Sequence, residues 1–373
     1  MRSPLNVDVF ADPGLPLRAL KHVLDRTDSG RDEGDYVLGY RQTQIPLRDD
    51  GTLDLDAIRA WSRENDSDML VVITEIPRRA GNLPKIAELH FTERIAIISL
   101  PALGWINVTD RLHRFLFDSL DALAKQEVPK IGAGRIRHGT VHDQPSETGP
   151  SVFIDSPWWR PRRAALVTGM VRTNEPLAAV PKLGGALAAA GATGAFGVFY
   201  SSIWEMANAL PPWRTGLITV GAISVMVLWL LFTNRLWERR GKDGSLTEAA
   251  MYNVSTLSTL LLAVAVLYAA LFAGILVAAL VVIESEFMEQ TIGTSVSLMN
   301  YVDIAWLSAS MGTVAGALGS NFDSTADVRS LTHGSRYAQR FQAQDNEEQS
   351  EWAYGAATSP TSAAGESSGS AEK

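Results

Sequence analysis

Polar and apolar positions alternate at short range in the first third of this chain and separate into long blocks after residue 182. The longest block runs uncharged from Met251 to Ile283, and its central part, Leu260 to Ile283, is interrupted only by Tyr268 and Gly274. At about 1.5 Å per residue that central part reaches about 36 Å as a helix, enough to cross a hydrocarbon core of about 30 Å. Further apolar blocks predict spans at Leu183–Trp204, rich in Gly and Ala, at 216–236 with its uncharged part Gly216–Thr233, and at Tyr301–Ser320. The expectation is an all-α transmembrane domain of four helices over residues 183–320.

Before residue 128 the periods are shorter. Leu5–Phe10 reads as a strand, followed by Ala11-Asp12-Pro13-Gly14-Leu15-Pro16 and a helix to about Asp25. Asp25–Asp35 is a loop, Tyr36–Leu47 has strand character, and Asp49-Asp50-Gly51 signals a turn. Leu53, Leu55, Ile58 and Trp61 recur at helical spacing. Asp68–Ile76 is the near-continuous apolar run of a strand buried on both faces. Ala87–Phe91 and Arg94–Leu100 read as two strands of a hairpin, and Val108–Ala124 as a last helix. These elements predict an α/β domain over residues 1–128, a mixed, mainly parallel sheet with helices on its faces.

Between the two domains the periodicity lapses, and residues 129–182 read as a linker. His138–Gly149 is polar, with Pro145 and Pro150 against regular structure. Trp158, Trp159, Arg160, Arg162 and Arg163 combine indole rings with cations, the chemistry of an anionic headgroup layer, and Ala164–Arg172 reads as a short helix on that surface. After residue 320, Asp323–Gln344 reads as a juxtamembrane helix and the rest of the tail as disordered.

Composition changes this picture in three ways. The whole-chain values, 46% hydrophobic and 20% charged, resemble a soluble protein only because two unlike halves are averaged. The net charge of −8 argues against a nucleic-acid partner. With no cysteine, disulfides, thiolate metal sites and cysteine nucleophiles are excluded. Met1–Val9 holds no apolar core of a signal peptide, so the first domain is expected to begin in the cytosol. Charge at the flanks then orients the spans. Arg160, Arg162, Arg163, Arg172 and Lys182 precede the first; Arg235, Arg239, Arg240 and Lys242 lie between the second and third; Glu284, Glu286 and Glu289 follow the third. Positive residues stay inside, which places the N-terminus, the loop between the second and third spans and the C-terminus in the cytoplasm of a multi-pass membrane protein.

Candidate chemistry is sparse. Ser308, Gly312, Gly316 and Ser320 stand four apart, giving the last span a face of small side chains for close helix packing, and the first span offers Gly184, Ala188, Gly191 and Ala195 opposite. Such faces also suit a second copy or a protein partner. Glu205, Arg214 and Asp303 fall near the outer face, where an ion-pair cluster is expected, rather than at the midplane where a transporter needs charge. In the first domain a ligand is expected at the carboxyl ends of parallel strands, with Arg78 and Arg79 holding an anion and Asp12 opposite, on loops shaped by Gly14 and Gly81. The bland alternatives are a helix-capping Asp12 and solvated arginines. His113 is followed by Arg114 and Phe117 where a zinc-protease motif needs Glu and His, and His138 and His142 flank Gly139, so no metal site is predicted. Phosphate-loop, dinucleotide and nucleophile-elbow motifs are absent, and no cofactor follows from the residues.

The stretches VFADPGLP, VVITEIPRRAG, SLPALG, GMVRTNEP, SSIWEMANAL and TVAGALGS together resemble a family of actinobacterial membrane proteins with an N-terminal cytosolic α/β domain and four spans. The likeness runs over residues 6–335. Some relatives carry a methylene-tetrahydrofolate dehydrogenase name, but the Tyr-xxx-Lys stretch and nucleotide-loop glycines of that enzyme have no match here. The resemblance implies this architecture and a bacterial plasma membrane, and no reaction. The expected function is tethering of a cytosolic α/β domain to membrane lipid for ligand sensing or partner binding. The alternatives are a membrane-anchored hydrolase or oxidoreductase using the Asp12 and Arg78 loops, and a transporter.

Overall fold

A computed structural model of the protein describes residues 4–27, 36–48, 52–81, 83–126, 140–144, 149–155, 162–179, 181, 183–237 and 246–322. The first domain contains β1 (Leu5–Ala11), α1 (Leu15–Thr27), β2 (Tyr36–Gln42), α2 (Leu55–Glu64), β3 (Met69–Thr74), β4 (Arg79–Ala80), β5 (Leu83–His90), β6 (Ile95–Ser99) and α3 (Val108–Lys125). β7 (Thr140–Gln144) and β8 (Ser151–Asp155) complete an eight-stranded sheet in the order β2-β1-β3-β6-β5-β8-β7, with the short β4 paired to β5.

All six residues of β3 are buried, as its unbroken apolar run predicts. Its neighbours β1 and β6 are parallel to it. Val7, Val9, Val71 and Ile73 point to one face, where they meet Leu20 of α1 and Leu112, Phe115 and Leu116 of α3. Phe10, Leu70, Val72 and Ile97 point to the other, beneath Ile58 of α2. That helix starts where Asp54 accepts hydrogen bonds from the N–H groups of Asp56 and Ala57.

The sheet is mixed, as expected, with β5 and β6 paired as an antiparallel hairpin, but it is not mainly parallel. The sheet is parallel only from β2 to β6; β5, β8 and β7 add an antiparallel half. The supposed linker supplies two of those strands. An edge strand such as β7 presents one side to water, so Thr-Val-His-Asp-Gln reads as polar chain, while Val152 and Ile154 of β8 reach the core. The helix expected on the membrane surface is α4 (Arg162–Thr173), and it turns Leu166 and Met170 into the protein core. Gly169 lies against the 3-10 turn Pro101–Leu103, so close that a Cβ there would come within 1.9 Å of the Pro101 carbonyl oxygen. Trp158, Trp159 and Arg160, the tail and the juxtamembrane segment lie outside the described residues.

The second region is helical: α5 (Pro176–Ala179), α6 (Gly184–Phe199), α7 (Ser201–Ala209), α8 (Pro212–Thr233), α9 (Leu246–Val282), α10 (Ser285–Ile292) and α11 (Leu298–Gly319). Three of these, α8, α9 and α11, are long and apolar enough to cross a membrane. The first expected span is not one straight helix. α6 and α7 meet at 85° through the single extended residue Tyr200. The indole N–H of Trp204 donates to the Gly197 carbonyl at 2.9 Å, meeting one of the acceptors that a helix end leaves open. At the same end of the bundle α10 packs on α7, with Phe287 edge-on to Trp204.

α11 is the central helix: 61% of its most apolar stretch is buried, against 33% for those of α8 and α9. It runs antiparallel to α6 in close contact. A Cβ on Gly316 would approach the Ala186 carbonyl oxygen to 3.0 Å, one on Gly312 the Ala190 oxygen to 2.5 Å, and one on Gly197 the Ser308 hydroxyl to 1.6 Å. Ser320 closes this end by donating to the Ala317 carbonyl. Thr219, Tyr268, Trp306 and Ser310 tie α8, α9 and α11 together. The Trp306 indole donates to Thr219 Oγ1 at 2.7 Å, and the Tyr268 hydroxyl donates to the Trp306 carbonyl at 3.2 Å. Glu205, Arg214 and Asp303 form no ion pair with one another; Arg214 lies over the Trp213 ring instead.

The glycine contacts predict opposite outcomes for one substitution. Gly312→Ala is limited by backbone and should cost about 1–3 kcal/mol by overpacking. Gly274→Ala, where a Cβ meets nothing within 4 Å, should be neutral or stabilise by roughly 0.5–1 kcal/mol, the usual helical preference for Ala. Thermal unfolding of the full chain in detergent should rank Gly274→Ala at or above the parent and Gly312→Ala below it.

Candidate functional site

The polar centre of the α/β domain lies on the antiparallel half of the sheet. β5 carries a bulge between Lys85 and Ala87, so Ile86 and Ala87 both serve the core and Lys85 swings to the face of Glu88 and His90. Phe153 of β8 is paired with Glu88 and His142 of β7 with Phe153, bringing their side chains to the same face. The rings of His142 and Phe153 stack at 4.8 Å, and Lys85 Nζ sits 5.3 Å from the Phe153 ring centre.

Glu88, fully buried, is the hub. Its Oε2 lies 2.6 Å from Arg78 Nη1 and 3.2 Å from Lys85 Nζ. Its Oε1 lies 3.2 Å from His90 Nε2 and accepts from Gln144 Nε2 at 3.1 Å. Gln144 closes the ring, since its Oε1 accepts from Lys85 at 2.7 Å. Beyond His90, Glu93 pairs with Arg59 of α2 at 3.0 Å. Burial alone would raise the Glu88 pKa. The His90 imidazole 3.2 Å away and the charges of Arg78 and Lys85 outweigh it and hold the carboxyl well below the usual range. Burial pushes Arg78 and Lys85 down while Glu88 pulls them back toward their ordinary values.

Asp12 occupies the end of β1, where the chain order of the parallel strands reverses. Its Oδ1 accepts from the Ile45 N–H at 3.0 Å, and its Oδ2 from Thr74 Oγ1 at 2.8 Å and the Glu75 N–H at 3.0 Å. It stitches β1, β3 and the segment after β2. The expected face-off of Asp12 with Arg78 does not form, because Arg78 turns to Glu88. Arg79 is half-buried and donates to the Gly81 carbonyl at 2.8 Å, and Gly14 and Gly81 adopt the positive φ of tight turns. Arg162 pairs with the buried Asp155 at 3.2 Å, and Arg163 follows it on the first turn of α4.

The arrangement neutralises and cross-links. Glu88 has its oxygens engaged by four groups, and no cluster of three or more His, Asp or Glu suited to a metal occurs among the described residues. The sequence carried a faint signal for it: Glu88 and His90 alternate with Ala87 and Leu89, which reads as a solvent face. Only the pairing with β8 and β7 buries that face.

No protein-family model matches the sequence, and neither does any curated protein. Among solved structures, archaemetzincin from Methanopyrus kandleri is similar over 32% of this chain and 72% of its own, at 14% identity and a TM-score of 0.26. A likeness that loose carries no inference.

Removing the hub should unpair two buried cations. Glu88→Ala is expected to destabilise the α/β domain by about 3–5 kcal/mol, read from denaturant unfolding by near-ultraviolet circular dichroism. The pH dependence has a definite sign. The folded carboxyl binds its proton more weakly than an unfolded glutamate, so its contribution is complete above about pH 4.3 and drains away as pH falls below that value. A Glu88→Gln variant should lack this acid-side loss. Asp12→Ala strands three buried donors and should cost at least about 1–3 kcal/mol in the same assay, the cost of one such group.

Proposed function

We propose that the chain is an integral protein of a bacterial plasma membrane, holding a cytosolic α/β domain at the bilayer for ligand sensing or partner binding. The observation that carries this reading is α9. Its first turns place Met251 and Tyr252 against the core of the α/β domain, and the same helix continues to Val282 among the apolar helices. Its 37 residues make about 55 Å of helix, longer than a hydrocarbon core of about 30 Å requires. The excess is the part that docks on the domain.

Supporting this, the apolar helices are exposed through lipid-like side chains: Leu261, Val277, Val281, Val220, Leu228 and Phe232 stand on their outer surface. In the proposed topology α6 with α7, α8, α9 and α11 cross in alternation. Basic residues lie at the domain end, and Glu284, Glu286 and Glu289 at the other.

Reporter fusions test the arrangement. A reporter joined after residue 130 should be active in the cytoplasmic form, and one joined after Glu289 in the extracytoplasmic form. Activity of the first outside the cell would overturn the proposal.

A further inference from the structure

The turn Pro101–Leu103 and the residues after it form a fixed projection. Gly104 has φ 83° and Asn107 φ 53°, so the chain reverses tightly around Trp105 and Ile106 before α3 begins. The base of the turn is clamped by the contact of Gly169 with Pro101. Its tip is held by Arg172, which donates to the Trp105 carbonyl at 2.5 Å and lies 6.0 Å from the centre of the indole ring. Despite these restraints Trp105 is 39% exposed and Ile106 72% exposed. A restrained projection that ends in two apolar side chains is built to meet something apolar.

Its height in the molecule is set by two contacts. Two residues beyond Arg172, Asn174 Nδ2 donates to Thr259 Oγ1 at 3.1 Å. Thr259 is the residue before Leu260, where the unbroken apolar run of α9 starts. The end of α4 therefore stands level with the entry of α9 into that run, and Trp105 hangs from α4 by one arginine side chain. The exposed Leu177 of α5, which packs on α9, stands at the same end of the bundle.

We infer that Trp105 and Ile106 are a membrane contact, inserted into the headgroup layer of the cytoplasmic leaflet beside α9. This rests on the reading of the helices as membrane spans. Tryptophan suits the interfacial layer because its ring is apolar while its N–H stays hydrated, and the neighbouring Arg172 suits anionic headgroups. The polar–apolar boundary layer is roughly 5–8 Å deep on each side of the hydrocarbon, so a two-residue tip is enough to enter it. The contact gives the domain a second point of attachment, away from the axis of α9, which fixes its tilt against the bilayer.

The absence of cysteine permits a direct test. Single-cysteine chains Ile106→Cys, Val37→Cys and Val220→Cys, each at an exposed site, are labelled with an environment-sensitive fluorophore. The full chain is then placed in nanodiscs of phosphatidylcholine and phosphatidylglycerol. The label at 106 should shift to the blue, lose quenching by aqueous iodide relative to the label at 37, and gain quenching by a nitroxide carried near the lipid headgroup. Equal iodide quenching at 106 and 37, with the label at 220 quenched by lipid nitroxide, would overturn this inference and leave the spans standing. Failure of lipid quenching at 220 would overturn both. A label at 106 that is wet in nanodiscs but protected in native membranes would assign the projection to a protein partner and so reject the lipid contact.

Discussion

One continuous helix must satisfy two different surroundings, and the rest of the molecule is arranged to let it. Along α9 the buried positions Leu260, Ala263, Val264, Leu267, Leu271, Ile275 and Ala279 form a stripe at helical spacing. The opposite side is just as apolar. No polar face marks where water should be, so the backbone has to satisfy its own hydrogen bonds as an unbroken helix wherever water is absent. Toward its start the pattern changes: Asn253, Ser255, Thr256 and Thr259 are buried polar groups, and Met251 belongs to the core of the α/β domain. α4 docks on that polar end, so the domain is joined to the helices by side-chain contacts as well as by chain.

Around α9 the bundle is organised by α11. Its glycines let α6 approach until only hydrogens separate the two backbones, while its Trp306 and Ser310 join Thr219 and Tyr268 in a polar knot. Between apolar helices without water, close van der Waals contact and such hydrogen bonds are the available adhesives. They also make the sharp corner at Tyr200 tolerable. α7 is held by Trp204, α10 and the start of α11, where Asn300 donates to Asn208.

In the α/β domain, buried carboxylates act as internal cross-links. Asp12 binds three segments through their donors, and Glu88 gathers Arg78, Lys85, His90 and Gln144 from β5, β7 and the β3–β5 connection. A carboxylate so engaged is costly to withdraw and poor at accepting a proton near neutrality. At the end of β1 the Asp12 carboxylate holds neighbouring segments of the sheet together.

Whatever depends on local period was legible along the chain. The apolar runs of α8, α9 and α11, the two-faced burial of β3 and the helical stripe of Leu112, Phe115 and Leu116 follow from side-chain spacing and hydrophobicity, which act residue by residue. The sequence also marked Gly312 and Gly316 as a small-residue face. The remaining features depend on contacts between distant segments. Whether Thr140–Gln144 is linker or edge strand depends on a partner distant in the chain, and its polar residues are compatible with both. The partner of Arg78 could not be read from its neighbours, because Glu88 reaches it only after β5 folds back and a bulge turns Lys85 inward. The corner between α6 and α7 was hidden because Tyr200 interrupts neither hydrophobicity nor length. Pattern reports what a segment can bury; only the folded chain decides what it is buried against.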